Sequence, residues 1–462
     1  MTDNPLRDSV GPGNSIQTPY GPAAAPTTRL VPAVLWGTWA VLFVLGLIYV
    51  NRYALSTPFV DEWAFVPVLF GDEPRGPWLW AWHNEHRFPL PRVVYLAAFF
   101  ATGELRAACF LNFVGISLIA AGMMRLARFL RGRSAYADVA FPLLLMHTGQ
   151  GENLYMGYQL CFLLVTALAG AFLAAVLTTR PDNHFRRGWQ AGLIGLALLT
   201  CGAGGLVYGG AATAWMAVLA VRGTMSPVRR GLLILVGCLT PLYAIQYVDG
   251  YRRPSHHPES AGVVESARIG LQAQAIAFGP AATGSWPVSG VAVAGAGLFV
   301  TGLLARRLLG PDWARSLGML GVVVASAAVA FGIGWGRSGF WDDMGFAWRY
   351  GWLTVPAVLA GYFALMTQRG RLATVGPLVL ALVGAHLVVV NEVSGFRDGE
   401  KAVRPLETAW AADVRAGVPA DELADRHYPS YSAGGRAMIA AAVRTMRAHR
   451  YSYYSPPGGE GP

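Results

Sequence analysis

Apolar runs of roughly 17–25 residues, the length that crosses a bilayer, recur through most of this 462-residue chain. Backbone polar groups in lipid find no water partners, so runs of this length are expected to be helices. Composition agrees. Only 13% of residues are charged and 54% are hydrophobic, with a mean hydropathy of +0.40. A soluble chain of this length would show charged amphipathic faces between its core segments. The expectation is an all-α, polytopic transmembrane helical bundle.

Candidate spans fall at 31–50, 105–124, 135–148, 155–179, 189–201, 206–221, 231–248, 288–305, 316–334, 351–367 and 372–391. Arginines concentrate in short connectors: Arg125/Arg128/Arg131/Arg133, Arg180/Arg186/Arg187, Arg222/Arg229/Arg230, Arg306/Arg307/Arg315 and Arg369/Arg371. With about eleven spans and a cytoplasmic N-terminus (N-in, C-out), all of these connectors meet the positive-inside rule. Residues 88–103 and 263–281 are apolar but short or charged, and are expected to be interfacial or half-inserted helices. The net charge of +10 comes without a basic stripe interleaved with aromatics, which argues against nucleic acid as a partner.

Residues 1–28 are polar and rich in Pro, Gly and Thr, which predicts a disordered cytoplasmic tail. They lack the small-residue exit of a cleavable signal peptide. Residues 29–391 form the transmembrane region. Residues 392–462 are predicted to form a short external helical segment, a small cap with helices over 402–416 and 433–449. The second carries an apolar stripe of Ile439, Ala442, Val443 and Met446. Cys109, Cys161, Cys201 and Cys238 have no metal-ligand spacing and read as buried free thiols.

The face opposite the basic connectors collects the chemically unusual residues. Asp61-Glu62 follows the first span, where one carboxylate could take a proton from an attacking hydroxyl and its neighbour orient an acceptor or help hold a divalent ion. An acidic helix start is the structural alternative. His83-Asn84-Glu85-His86-Arg87 packs four polar groups and a cation behind Trp78, Trp80 and Trp82, which fit an interfacial belt. Its spacing is not that of a zincin. Metal binding through His83, Glu85 or His86 is weaker than an acceptor or phosphate site, and the metal is left unknown. Gln150, Glu152 and Asn153, with Tyr155, Tyr158 and Gln159, offer either a polar hairpin or a surface suited to sugar hydroxyls. Arg337 and Arg349 have the planar fork that matches phosphate oxygens, with pairing to Asp342 and Asp343 as the alternative. Arg252, Arg253, His256 and His257 suggest an anion site, though an ordinary solvated loop is the better expectation.

Four features taken together resemble the GT-C superfamily of integral-membrane glycosyltransferases, and within it a group of poorly characterised bacterial polytopic proteins. They are Asp61-Glu62-Trp63, Asn84-Glu85-His86-Arg87, Glu152-Asn153-Leu154 with Gly157-Tyr158-Gln159, and Gly336-Arg337 followed by Arg349-Tyr350. The resemblance covers roughly residues 30–390, with a short tail where many such enzymes carry a large soluble domain. It implies an inverting transfer from a polyprenyl-phosphate-linked sugar donor to an envelope glycan or lipid acceptor, on the external face of a bacterial inner membrane. Asp61, with Glu62 beside it, would be the catalytic base. Arg337, Arg349 and Arg87 would bind the donor phosphate. His83, Asn84, Glu85, His86, Glu152, Asn153 and Gln159 would hold acceptor or sugar. No cofactor is certain, and a divalent metal is the open alternative. A transporter or flippase of a lipid-linked glycan is the competing reading.

Overall fold

The computed structural model of the chain describes residues 29–255, 257–431 and 435–454, all helix and turn with no strand among them. The predicted tail 1–28 and His256 lie outside the described residues. The longer helices begin with α1 (Leu30–Tyr53), α2 (Pro89–Thr102), α3 (Ala107–Arg131), α4 (Leu160–Leu177) and α5 (His184–Leu199). They continue with α6 (Ala203–Arg222), α7 (Pro227–Val248), α8 (Val263–Ala275), α9 (Val288–Arg306), α10 (Trp313–Arg337), α11 (Tyr350–Met366) and α12 (Leu372–Asp398).

Among the described residues, eight segments are long and apolar enough to cross a membrane: α1, α3, Gly157–Leu177 around α4, α6, α7, α9, α10 and a continuous Leu372–Arg415. Eight of the eleven expected spans fall on these segments, and those at 189–201 and 351–367 fall on the shorter helices α5 and α11. Residues 135–148, read from sequence as one span, are a turn at Tyr136–Val139, a six-residue helix Ala140–Leu145 and a turn at Thr148–Gln150. This broken segment climbs beside α12, with Leu143 against Gly384 and Thr148 against Gly395. Irregular backbone at membrane depth is tolerated where protein covers it, and Ala140–Leu145 is buried at every position.

Between apolar helices in lipid, close packing replaces the hydrophobic drive, and small residues make it possible. A Cβ on Gly334 would stand 1.9 Å from the Ser266 carbonyl oxygen, and one on Gly205 would stand 2.0 Å from that of Leu198. These contacts seat α8 on α10 and α6 on α5. The predicted half-inserted segment 263–281 thus runs back along the outer turns of α10, with Ser266 at Gly334 and Gly270 at Ala330. α7 lies on the outside with an apolar exposed face. Cys238 on it is exposed, unlike the three buried cysteines, which corrects the expectation for that thiol.

The basic connectors meet at one end. Arg315 donates to the Thr179 carbonyl at 2.8 Å and Arg307 to that of Thr367 at 3.1 Å. Arg222 stacks on Trp313 and Thr224 donates to the Pro181 carbonyl.

At the other end α12 passes the expected domain boundary at 391/392 without interruption. A π turn at Gly399–Val403 leads it into α13 (Arg404–Arg415), followed by α14 (Ala420–Tyr431), which the sequence reading missed, and α15 (Arg436–Ala448). The cap is therefore an extension of the last span. It docks on the loop after α1: Trp410 packs on Trp63 at 5.3 Å, and Glu407 accepts from the Ser56 amide at 3.2 Å. The predicted stripe of Ile439, Ala442, Val443 and Met446 is buried.

Candidate functional site

The chain leaves α1 and turns at Val60, whose φ of 51° is a strained value for a β-branched residue. Asp61 and Glu62 follow in a 3-10 turn, Val60–Phe65. With three residues per turn, neighbouring side chains there diverge by about 120°. The two carboxylates accordingly enter different surroundings. Glu62 points inward, 4% exposed, and accepts from the Tyr158 amide at 2.9 Å, the Phe59 amide at 3.2 Å and the Tyr95 hydroxyl at 3.3 Å. Burial pushes its carboxyl up to about 7 despite these donors. It ties the first loop to the turn before α4, which corrects its expected place in the cleft.

Asp61 keeps 27% of its side chain open. Asn84 donates to it at 3.2 Å, and His83 Nε2 stands 3.3 Å from the same oxygen. Burial works to raise the carboxyl. The imidazole of His83, then Arg349 and Asn84, outweigh it and hold Asp61 below the ordinary aspartate value. An ionised carboxylate with an open edge can receive a proton from a hydroxyl.

His83 and His86 exchange two backbone hydrogen bonds, at 2.8 and 2.9 Å, closing a tight turn with Asn84-Glu85 at its tip. Asn84 has φ 51°, a left-handed conformation that asparagine tolerates. The tip divides its two side chains between partners. Asn84 reaches Asp61, while Glu85 meets Arg337 through both oxygens at 3.1 Å. His257 Nδ1 lies 2.5 Å from Glu85, and Arg337 Nε donates to the Tyr350 hydroxyl at 3.1 Å. Burial opposes the Glu85 carboxylate, but Arg337 outweighs it and holds the carboxyl below its usual value. Burial pushes His86 down to about 4, so its imidazole is neutral at pH 7.

Arg349 precedes α11 and donates to Glu152 from Nη1 at 2.9 Å and from its amide at 3.2 Å. Its side chain is 30% exposed. Glu152 is part-exposed, but Asn153 and Gln159 are 0% and 1% exposed. Asn153 Nδ2 donates to the Trp348 and Arg349 carbonyls, so it holds the turn instead of facing a sugar. Gln159, Tyr155 and Tyr158 are also turned into the bundle, because Gly151–Tyr155 and Gly157–Gln159 fold back beneath the first loop.

Arg87, expected at a phosphate, is 8% exposed. Its guanidinium donates to the Asp249 carbonyl at 2.6 Å and lies over Trp80 and Trp82, 5.0 and 4.5 Å from their ring centres. It clamps the turn to the end of α7. Trp78 stacks with Arg92 at 4.4 Å, so these tryptophans are more than a belt. The alternative pairing of Arg337 and Arg349 with Asp342 and Asp343 is replaced by Glu85 and Glu152. Asp342 stands instead 3.6 Å from Arg268.

The expected metal donors do not converge: among the described residues no three His, Cys, Asp or Glu side chains could hold an ion. Glu85 is engaged by Arg337 and His257, and His83 faces Asp61. His257, expected in a solvated loop, is a member of the site. That membership is visible only in the fold, because His257 and Glu85 lie 172 residues apart in sequence.

No protein-family model matches the chain, and no curated protein matches it. Among solved structures it is similar to the archaeal oligosaccharyltransferase AglB from Archaeoglobus fulgidus, in complex with an inhibitory peptide and a dolichol-phosphate. The TM-score is 0.43 and the identity 12%, covering 87% of this chain and 60% of that one. This chain thus spans less than two thirds of AglB. A superposition this loose assigns no activity, and what the site can do follows from its own residues.

Proposed function

We propose that this chain is an inverting glycosyltransferase of GT-C type, moving a sugar from a polyprenyl-phosphate donor to a hydroxyl of an envelope glycan or lipid. The observation that carries the reading is Asp61: a part-open carboxylate, held ionised by His83 and Asn84, within the field of the part-exposed Arg349. Asp61 accepts the acceptor's proton as the acceptor oxygen bonds to the anomeric carbon from the face opposite the phosphate. The bond from that carbon to the phosphate oxygen breaks, and its electron pair stays on the lipid phosphate.

Arg349 is the better of the two arginines for the leaving phosphate. It meets Glu152 through one terminal nitrogen, whereas both terminal nitrogens of Arg337 are on Glu85 and its Nε is on Tyr350. A guanidinium aimed where negative charge develops lowers the barrier. Arg337 then positions the His83–His86 turn through Glu85, and neutral His86 can hydrogen-bond an acceptor hydroxyl. This end of the bundle, opposite the basic connectors, would face outward.

The test is transfer by the purified protein from defined polyprenyl-phosphate sugars, with the anomeric configuration of the product read by NMR. Inversion supports a single displacement. Retention contradicts it.

A further inference from the structure

At the basic end, away from the candidate active site, α1, α3, α9 and α12 surround a cavity of about 1320 Å³. Its lining carries Arg131, Arg133, Arg306, Arg307 and Arg369 against one carboxylate, Asp312. Two of these arginines are structural. Arg131 is gripped by Asp138 at 2.9 and 3.0 Å and donates to the Tyr362 hydroxyl. Arg307 is held by Asp312 at 2.6 Å and by Thr367. The other three, Arg133, Arg306 and Arg369, are exposed. No ion pair or hydrogen bond to their side chains occurs among the described residues.

Three cations brought together from three connectors, with no carboxylate left to answer them, repel one another unless an anion joins them. The cavity wall also changes character. Val31, Leu372 and Leu378 line it on one side, and the helices they belong to present bare apolar faces outward, including Val34 and Val41 on α1 and Val375, Val379 and Leu382 on α12. A ligand that fits both parts has an anionic head for the arginine forks and an apolar chain for the groove between α1 and α12. Arginine's planar donors match phosphate oxygens in particular. Basic pockets between helices are suited to the head groups of acidic lipids.

We propose that this cavity binds the phosphate of an anionic membrane phospholipid, its acyl chain lying between α1 and α12. The site is separate from the transfer chemistry and does not depend on it.

The test is native mass spectrometry of the full chain, released from detergent with phosphatidylglycerol, phosphatidylcholine or inorganic phosphate added. Wild type should retain phosphatidylglycerol at least ten-fold better than phosphatidylcholine. The variant Arg133→Gln/Arg306→Gln/Arg369→Gln should lose that preference, and excess inorganic phosphate should not displace the lipid. Equal retention of the two lipids by wild type overturns the proposal whatever the variant does. Undiminished preference in the triple variant also overturns it, by placing the lipid elsewhere. Displacement by equimolar inorganic phosphate would identify a free-phosphate site and reject the lipid.

Discussion

Arg337 holds Glu85 through both carboxylate oxygens, at 3.1 Å each, across 252 residues of chain. The pair joins the loop after α1 to the end of α10, and Asn84 on the same turn joins that loop to Asp61. One four-residue turn therefore couples the candidate base to the late half of the bundle. Each side chain of the pair is 20% exposed, so removing one partner leaves a largely buried charge. Glu85→Ala should cost about 3 kcal/mol of stability. The double variant Glu85→Ala/Arg337→Ala should cost less than the sum of the single changes. Thermal unfolding of the four proteins as a double-mutant cycle measures the coupling, and additivity would contradict it.

Glu62 gives a pH dependence of known sign. Its carboxyl rises from 4.5 to about 7 in the folded chain, so the folded state favours the protonated form. The stabilisation is complete below the unfolded value and is lost as pH rises through 7. A shift of this size corresponds to about 3 kcal/mol. Wild type should lose thermal stability between pH 5 and pH 7, and Glu62→Gln should flatten that slope. Equal slopes in the two proteins would contradict the assignment.

Arg349 and Arg337 should separate kinetically. Arg349→Gln should lower kcat/KM for donor about 10²–10³-fold with the fold retained. Arg349→Lys should recover part of this, keeping the charge without the fork. Arg337→Gln should act chiefly through lost stability. The contrary result, a folded Arg337→Gln with the larger kinetic loss, would exchange their roles.

The two ends of the bundle should label from opposite sides. In a Cys238→Ser background, Asn84→Cys and Asp342→Cys should react with an impermeant thiol reagent from the external side. Asp342 is 98% exposed, and the three other native cysteines are buried. Arg133→Cys and Arg369→Cys should react only from the cytoplasmic side. Access to Asn84→Cys from the cytoplasm alone would contradict the proposed orientation.

Sequence periodicity was enough to anticipate the helical bundle, because full-length apolar runs leave few alternatives. It also grouped the basic connectors, which share one end through Arg315–Thr179 and Arg307–Thr367. What it missed depends on partners chosen by the fold. In sequence Glu62 is a second carboxylate next to Asp61, yet the 3-10 turn sends it to Tyr158. Asn153 and Gln159 read as a polar surface until the turn before α4 buries them. Arg337 has Asp342 nearby in sequence and pairs instead with Glu85. His257 gives no local sign of its contact with that same carboxylate. The broken segment 135–148 is apolar enough for a span, but its covering by α12 removes the need for continuous helix.

The most direct test of the account compares purified wild type with Asp61→Asn on a panel of radiolabelled polyprenyl-phosphate sugars. The variant keeps the size and the contact to Asn84 but loses the basic oxygen. Wild type should transfer sugar, and Asp61→Asn should fall by about 10²–10⁴-fold, the usual worth of a general base. Equal turnover by the two proteins would contradict Asp61 as the base and with it the proposed chemistry of this site.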